Sequence, residues 1–314
     1  MGNTHSSKIA VVKRTYYSSK RMKLKSECFE INDKKYGEYK QYFSDGSLQF
    51  ICTYVNNKIN GEYKQYYDNG QLMDICTYVN DKANGEYKKY HGNGELMEIC
   101  TYVNGKIEGE YKSYLDNGQL SIICTYVNGK IEGKYKQYWY NEQVYDIYTY
   151  INNKKNGEFK QYYNNGTLKY ICPYRNNRKT GKSKEYYPSG SIKNLCYYVN
   201  GYYDGIFTEY YKNGNISSIN NYIDGEINGE SKLFYKNKNI SQISYYINGK
   251  KNGETKAFHP NGQLKSSNLF INDTCIDGNT PRYKYYFKLI PSMCGYYYNK
   301  LKRKVFFSLF CMIW

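Results

Sequence analysis

One glycine recurs every 24 residues, and that spacing limits the possible folds more than any other property of the chain. It stands at positions 37, 61, 85, 109, 133, 157, 181, 205, 229 and 253, with no insertion or deletion between copies. Residues 61–84, GEYKQYYDNGQLMDICTYVNDKAN, form the cleanest copy. A period in this range makes each unit lean on its neighbours, so the array grows in one dimension. The length of 314 residues would otherwise suggest two ordinary domains, and the repeat overrides that reading.

Each copy divides into two short strands and two turns. EYKQYY at 62–67 is followed by DNG at 68–70, with SDG at 44–46, GNG at 92–94 and PNG at 260–262 in the same place. Asn-Gly between strand-like runs is a strong hairpin signal, because both residues tolerate positive φ. The second strand, QLMDICTYV at 71–79, ends in another tight turn, of which NGKIEG at 104–109 is an example. The 44 tyrosines add strand propensity. A β-helix with one coil per copy and a meander with two strands per copy both fit the period. Hairpin-type turns favour the meander, which advances about 9.6 Å per copy at a strand spacing of about 4.8 Å.

Columns at fixed phase show where packing is expected. Tyr54, Tyr78, Tyr102 and Tyr126 share one phase, Tyr42, Tyr66 and Tyr90 another, and Leu48, Leu72 and Leu96 a third. They predict ladders of side chains that fill the core along the array. Seven of the ten cysteines fall in one column: Cys28, Cys52, Cys76, Cys100, Cys124, Cys172 and Cys196. One thiol per copy makes a line, whereas a metal needs ligands that converge on a point. The expectation is therefore no metal, with small buried side chains in a reducing intracellular compartment.

At these residues a family resemblance appears. The phrase G-E-Y-K-x-Y-x-x-N-G-Q-L-x-x-x-x-x-Y-x-N-G-K-x-x-G resembles the MORN repeat, especially the variant of bacterial YwqK-type proteins described as antitoxins. It covers about 240 of the 314 residues. The resemblance implies an all-β fold: an elongated antiparallel array of β-hairpins in a twisted meander sheet. It also implies scaffolding, protein–protein contact and, in some members, attachment to acidic phospholipid. Glu142 and Lys238 replace the turn glycine, and Ser183, Ser231 and Thr255 replace the first tyrosine, so the second half is expected to be less regular.

The chain divides into a lead segment at 1–12, a degenerate capping repeat at 13–36, ten repeats at 37–276 and a divergent cap or tail at 277–314. Met1, Gly2 and Ser6 fit the N-myristoylation pattern, which acts only in a eukaryotic cell. Lys8, Lys13, Arg14, Lys20, Arg21, Lys23 and Lys25 supply the basic segment that a single acyl chain needs for stable anchoring. In the tail, RYKYYF at 282–287 reads as a last strand over the open edge. The apolar run 305–314 is too short to span a bilayer and reads as a cap, or as a segment on a membrane surface.

Catalytic groups are not legible. His91 and His259 occupy an aromatic phase, and no nucleotide-binding glycine loop stands in a strand-to-helix context. The expectation is a non-catalytic chain without cofactor or small-molecule substrate. The net charge of +17 and a lysine column (Lys40, Lys64, Lys88, Lys112, Lys136 and Lys160) mark the candidate anion-facing residues. Glutamates two residues earlier lie on the same strand face and would neutralise much of that column. The leading reading is a scaffold for a protein partner, membrane-tethered through Gly2. The alternatives are a binder of acidic phospholipid or nucleic acid, and a YwqK-like neutraliser of a protein partner.

Overall fold

The computed structural model describes residues 10–17 and 23–276, and every regular element among them is a β-strand. Gly2, His5, RYKYYF at 282–287 and the apolar tail lie outside the described residues. Two compact units are present. Of the described residues, one comprises those up to Thr167 with Arg175–Asn177, and the other Leu168–Tyr174 with those from Arg178 to Ile276. Within each, strands pair antiparallel with their neighbours in sequence, as the meander requires. In the first unit, for example, Lys58–Tyr66 pairs with Leu48–Val55 before it and Leu72–Val79 after it. The strand Ala10–Tyr16 pairs with Leu24–Ile31 and so reaches into the segment read as a lead.

Two turn types alternate. The turn from Val79 to Lys82 places Asn80 at φ 50° and Asp81 at φ 65°. Positive φ at both central residues defines the hairpin turn whose twist matches that of the strands it joins. Asn56 and Asn57, Asn104 and Gly105, and Asn128 and Gly129 repeat the geometry. Asp81 also ties its copy to the one before. Its N–H donates to the Ile59 carbonyl at 2.9 Å, and its Oδ1 accepts from the Ile59 N–H at 2.6 Å. The other turn, Asp68–Gly70, closes with Tyr67 N–H on the Gln71 carbonyl at 2.8 Å and Gly70 N–H on the Tyr67 carbonyl at 3.0 Å. Gly70 has φ 81°. Asn69 Oδ1 accepts from Gln71 N–H, while its Nδ2 donates to the Gly92 carbonyl of the next copy.

The 24-residue glycine answers a specific demand. At Gly61, φ is 130°, and a Cβ there would sit 3.2 Å from Thr53 Cβ. Beside these glycines the ladder shifts register. Cys52 pairs with Tyr63, but Tyr54 pairs with Ile59. A side chain here would be strained by its backbone angle and crowded by the neighbouring strand.

Register then assigns the faces. Tyr63 lies opposite Cys76, and Gln65 opposite Asp74; Glu62 lies opposite Thr77, and Lys64 opposite Ile75. One face thus carries tyrosine and thiol, the other glutamate, lysine and β-branched residues. The cysteines are buried, with Cys52 at 1% and Cys76 at 2% exposure. Tyr63 and Tyr78 meet edge to face with centroids 5.6 Å apart, as do Tyr87 and Tyr102. The tyrosine and leucine columns, expected to be core, are mostly half-buried. Among the described residues, contacts run mainly between strands that are neighbours in sequence, and the most deeply buried side chains are small: Cys52, Cys76, Cys172, Ser183 and Ser244.

The less regular copies show compensation between neighbours. Tyr148 stands in the cysteine column of the first unit and stacks on buried Phe159, centroids 4.4 Å apart. In the second unit, Ser183 replaces a column tyrosine, and Tyr170 packs against Cys172, Cys196 and Tyr198. Asn220 and Ser231 replace cysteine and tyrosine at facing positions, and the Ser231 hydroxyl donates to Asn220 Oδ1 at 2.7 Å. In some copies the strand equivalent to Glu226–Phe234 splits, as at Arg178–Lys179 and Gly181–Tyr186 and again at Lys250–Lys251 and Gly253–Phe258, whereas Glu226–Phe234 itself runs unbroken.

Glu142 (φ 64°) and Lys238 (φ 74°) hold the left-handed turn position that glycine fills elsewhere. Each carries a backbone penalty on the order of 1 kcal/mol. Glu142→Gly and Lys238→Gly should each raise stability by about that amount, read as a higher urea midpoint at unchanged slope. A lowered or unmoved midpoint would contradict the assigned turn geometry.

Candidate interaction face

Residues two apart on a strand point the same way, so glutamate and lysine at phases two and four of each copy become neighbours. The lysine Nζ lies 2.5 Å from the carboxylate in Lys40–Glu38, Lys88–Glu86 and Lys112–Glu110, and 2.6 Å in Lys64–Glu62 and Lys160–Glu158. Lys232–Glu230 at 2.5 Å and Lys256–Glu254 at 3.0 Å continue the pattern in the second unit. Donating a hydrogen bond to the glutamate carboxylate holds the Lys40, Lys64, Lys88, Lys112 and Lys160 ammonium groups above the ordinary lysine range. These pairs are largely solvated, so each contributes little to stability.

Lys136 differs. Its strand, Lys130–Tyr138, carries Lys134 where the other strands carry glutamate, and no ion pair forms at either lysine among the described residues. The same replacement occurs at Lys182 and Lys184 on Gly181–Tyr186. Sequence reasoning picked out Lys136 by its column but missed Lys134. The available signal was the gap at 134 and 182 in the glutamate column.

Between the charged strands run β-branched rows. Ile75, Thr77 and Val79 share a face with Glu62 and Lys64, and the outermost residue of each row is open: Val79 is 43% exposed, Val103 46%, Val127 43% and Ile151 48%. A shallow groove of about 520 Å³ lies in this region of the first unit, lined by Ile99, Thr101, Val103, Glu110, Lys112 and Val127 among others.

The opposite face has little nucleophilic capacity. Burial pushes the Cys52 and Cys124 thiols up to about 11 and that of Cys100 to about 12. Burial likewise raises the Tyr54, Tyr63, Tyr102 and Tyr135 phenols to about 12. His91 fills its aromatic slot: its Nε2 lies 3.1 Å from the Tyr114 carbonyl, where Tyr67 donates its hydroxyl to the Tyr90 carbonyl at 2.7 Å. Among the described residues, no three His, Cys, Asp or Glu side chains gather as metal ligands.

Comparison with known proteins gives one strong result. The family model described as "MORN repeat variant" matches residues 35–56, 59–80, 83–104, 107–128, 155–176, 179–200, 203–224, 227–248 and 251–272, which is more than half of the chain. The copy between 128 and 155, which contains Lys134 and Glu142, is not matched. A search of curated proteins found no match. Among solved structures, "Crystal Structure of TcdB2-TccC3-Cdc42" aligns at 11% identity and TM-score 0.13 over 84% of this chain and 19% of that one. A Photorhabdus luminescens Tc holotoxin pore aligns at 11% identity and TM-score 0.14 over 83% and 19%. This chain thus spans about a fifth of those chains' length. Likeness at these TM-scores carries no weight for fold or function.

The raised thiols and phenols set the response to alkali. An unfolded chain releases these protons from about pH 8.5 and pH 10 respectively. The folded chain holds them more tightly, so the stability they contribute is complete below those values and is lost as pH rises through the folded ones. The β-sheet circular-dichroism signal should collapse between about pH 10 and about pH 12, together with a steep rise in tyrosinate absorbance. A gradual phenolate titration centred near pH 10 with the sheet signal intact would contradict the burial described.

Proposed function

The chain belongs to the MORN repeat variant family, and on that premise we propose that it is a non-catalytic scaffold for a protein partner, tethered to an intracellular membrane through a myristoylated Gly2. Repeats of this family serve generally as scaffolds for protein or membrane contact. The observation that carries the protein-partner reading is the ion-paired face, with its open rows at Val79, Val103, Val127 and Ile151. Such a face offers apolar area between largely neutralised charges, which suits another protein surface better than a lattice of phosphates. The tether rests on the sequence pattern at Met1, Gly2 and Ser6 with its basic neighbours.

A second reading, binding of nucleic acid or another polyanion, draws on the net charge of +17. It predicts affinity that falls steeply with salt, in proportion to the phosphates contacted.

Full-length protein and its Gly2→Ala variant, each expressed in a eukaryotic cell, separate these statements. Wild type should lack Met1, gain the mass of one myristoyl group and sediment with membranes, and Gly2→Ala should move to the soluble fraction. Both should co-purify the same protein at near-equal amounts, resistant to moderate salt. Membrane recovery of Gly2→Ala equal to wild type would overturn the tether. Co-purification of nucleic acid alone, released by salt, would overturn the protein-scaffold reading.

A further inference from the structure

A periodic face offers the same contact many times, so selectivity has to come from positions where the period is broken. On the charged face, the break is a reversal of sign. Glu38, Glu62, Glu86, Glu110 and Glu158 each neutralise the lysine two residues on. Lys134 stands in that place beside Lys136, and Lys182 beside Lys184. One strand in each unit therefore carries two like charges where its relatives carry none net.

The surroundings of Lys134 and Lys136 narrow what can bind. Lys136 lies opposite Ile123 on one side and Ile147 on the other, and Lys134 lies opposite Thr149. Val127 and Ile151, 43% and 48% exposed, end the flanking rows. Beyond them come the closed pairs Lys112–Glu110 and Lys160–Glu158. The result is a small cationic spot with aliphatic shoulders, bounded on its own strand by Glu132, whose carboxylate accepts the Asn152 N–H at 2.8 Å, and by further carboxylates on the outer strands. A nucleic-acid strand or a lipid surface would bring phosphates against Glu110 and Glu158 as well as the lysines, and would leave the aliphatic rows unused. An extended peptide places alternate side chains about 6.8 Å apart, which is the spacing of Lys134 and Lys136 along their strand.

We propose that Lys134 with Lys136, and likewise Lys182 with Lys184, which lie opposite Tyr197 and Leu195, are docking positions for a short extended segment of a partner protein that carries acidic side chains and aliphatic ones. This deepens the scaffold reading and rests on it. The acidic residues would bridge the lysines, and the aliphatic residues would cover the shoulders. Charge complementarity of this kind governs selectivity and capture rate more than total affinity.

The test exploits the repeat itself. Lys134→Glu and Lys182→Glu rebuild the Glu–Lys pair that other copies already contain, so the variant should fold with unchanged circular dichroism. The probe is a short fluorescent peptide alternating glutamate and valine, measured by anisotropy against the full chain. The comparison probes are an alternating lysine–valine peptide, an RNA oligomer and phosphatidylserine vesicles. Wild type should bind the glutamate–valine peptide, and the double variant should bind it about tenfold more weakly. Glu62→Lys, which creates the doublet in a third copy, should raise the number of bound peptides. Equal binding by wild type and the double variant would overturn the proposal. So would RNA or vesicles binding more tightly than the peptide with the same sensitivity to the variant. Failure of the peptide while a protein partner still co-purifies would sink this inference and leave the scaffold reading standing; loss of the partner with peptide binding intact would do the reverse.

Discussion

The structure depends on a two-residue turn with both central φ angles positive. Asn80 and Asp81, and their equivalents in each copy, fix which residue of one strand faces which residue of the next. Side chains on a strand alternate between faces, so a slip of one residue would exchange the faces completely. Cys76 and Tyr78 would move out, and Thr77 and Val79 would move in. Non-glycine residues in this conformation are strained. Asp81 offsets that strain by accepting the Ile59 N–H, and Asn57 accepts the Lys35 N–H in the same way. Where glycine takes the second position, as at Gly105 and Gly129, the strain at that position is absent, Asn104 and Asn128 keep positive φ at the first, and the glycine N–H still bonds the preceding copy. Either solution holds register and couples successive copies.

From register follows an unusual distribution of burial. Among the described residues no second layer packs on the strands, and large side chains shield one another along the surface. Tyr63 meets Tyr78 and Tyr111 meets Tyr126, and the small thiols lie beneath. This explains why the cysteine column is deeply buried and the tyrosine columns only half so. Most of the stability must then come from the sum of like contacts between neighbours, as expected of a repeat array.

Features that recur were legible in the sequence, because internal repetition exposes them without any second sequence. Strand number, turn positions and the Glu–Lys pairing at Glu62 and Lys64 all belong to this class. Features that depend on two substitutions at once were not. Tyr148 is tolerated in the cysteine column because Phe159 stacks on it, and Ser183 sits where Tyr170 packs nearby. Reading the columns separately hides such exchanges, since the compensating residues stand in different columns. The core expectation holds only in part, since among the described residues these columns are mostly half-buried: periodicity shows that side chains share a face and says nothing of how fully that face is covered. Lys134 does not show in the lysine column at all; it shows only as a gap in the glutamate column.

Register is the claim on which the rest stands, and thiol accessibility tests it most directly. Folded protein is treated with a small alkylating reagent, and the modified positions are located by peptide mass. The account predicts that Cys52, Cys76, Cys100, Cys124, Cys172 and Cys196 stay unmodified in the native state and react fully in denaturant, while exposed Cys275 reacts in both. Native-state modification of the column at the rate of Cys275 would mean that the cysteines face solvent, and the register described would be wrong.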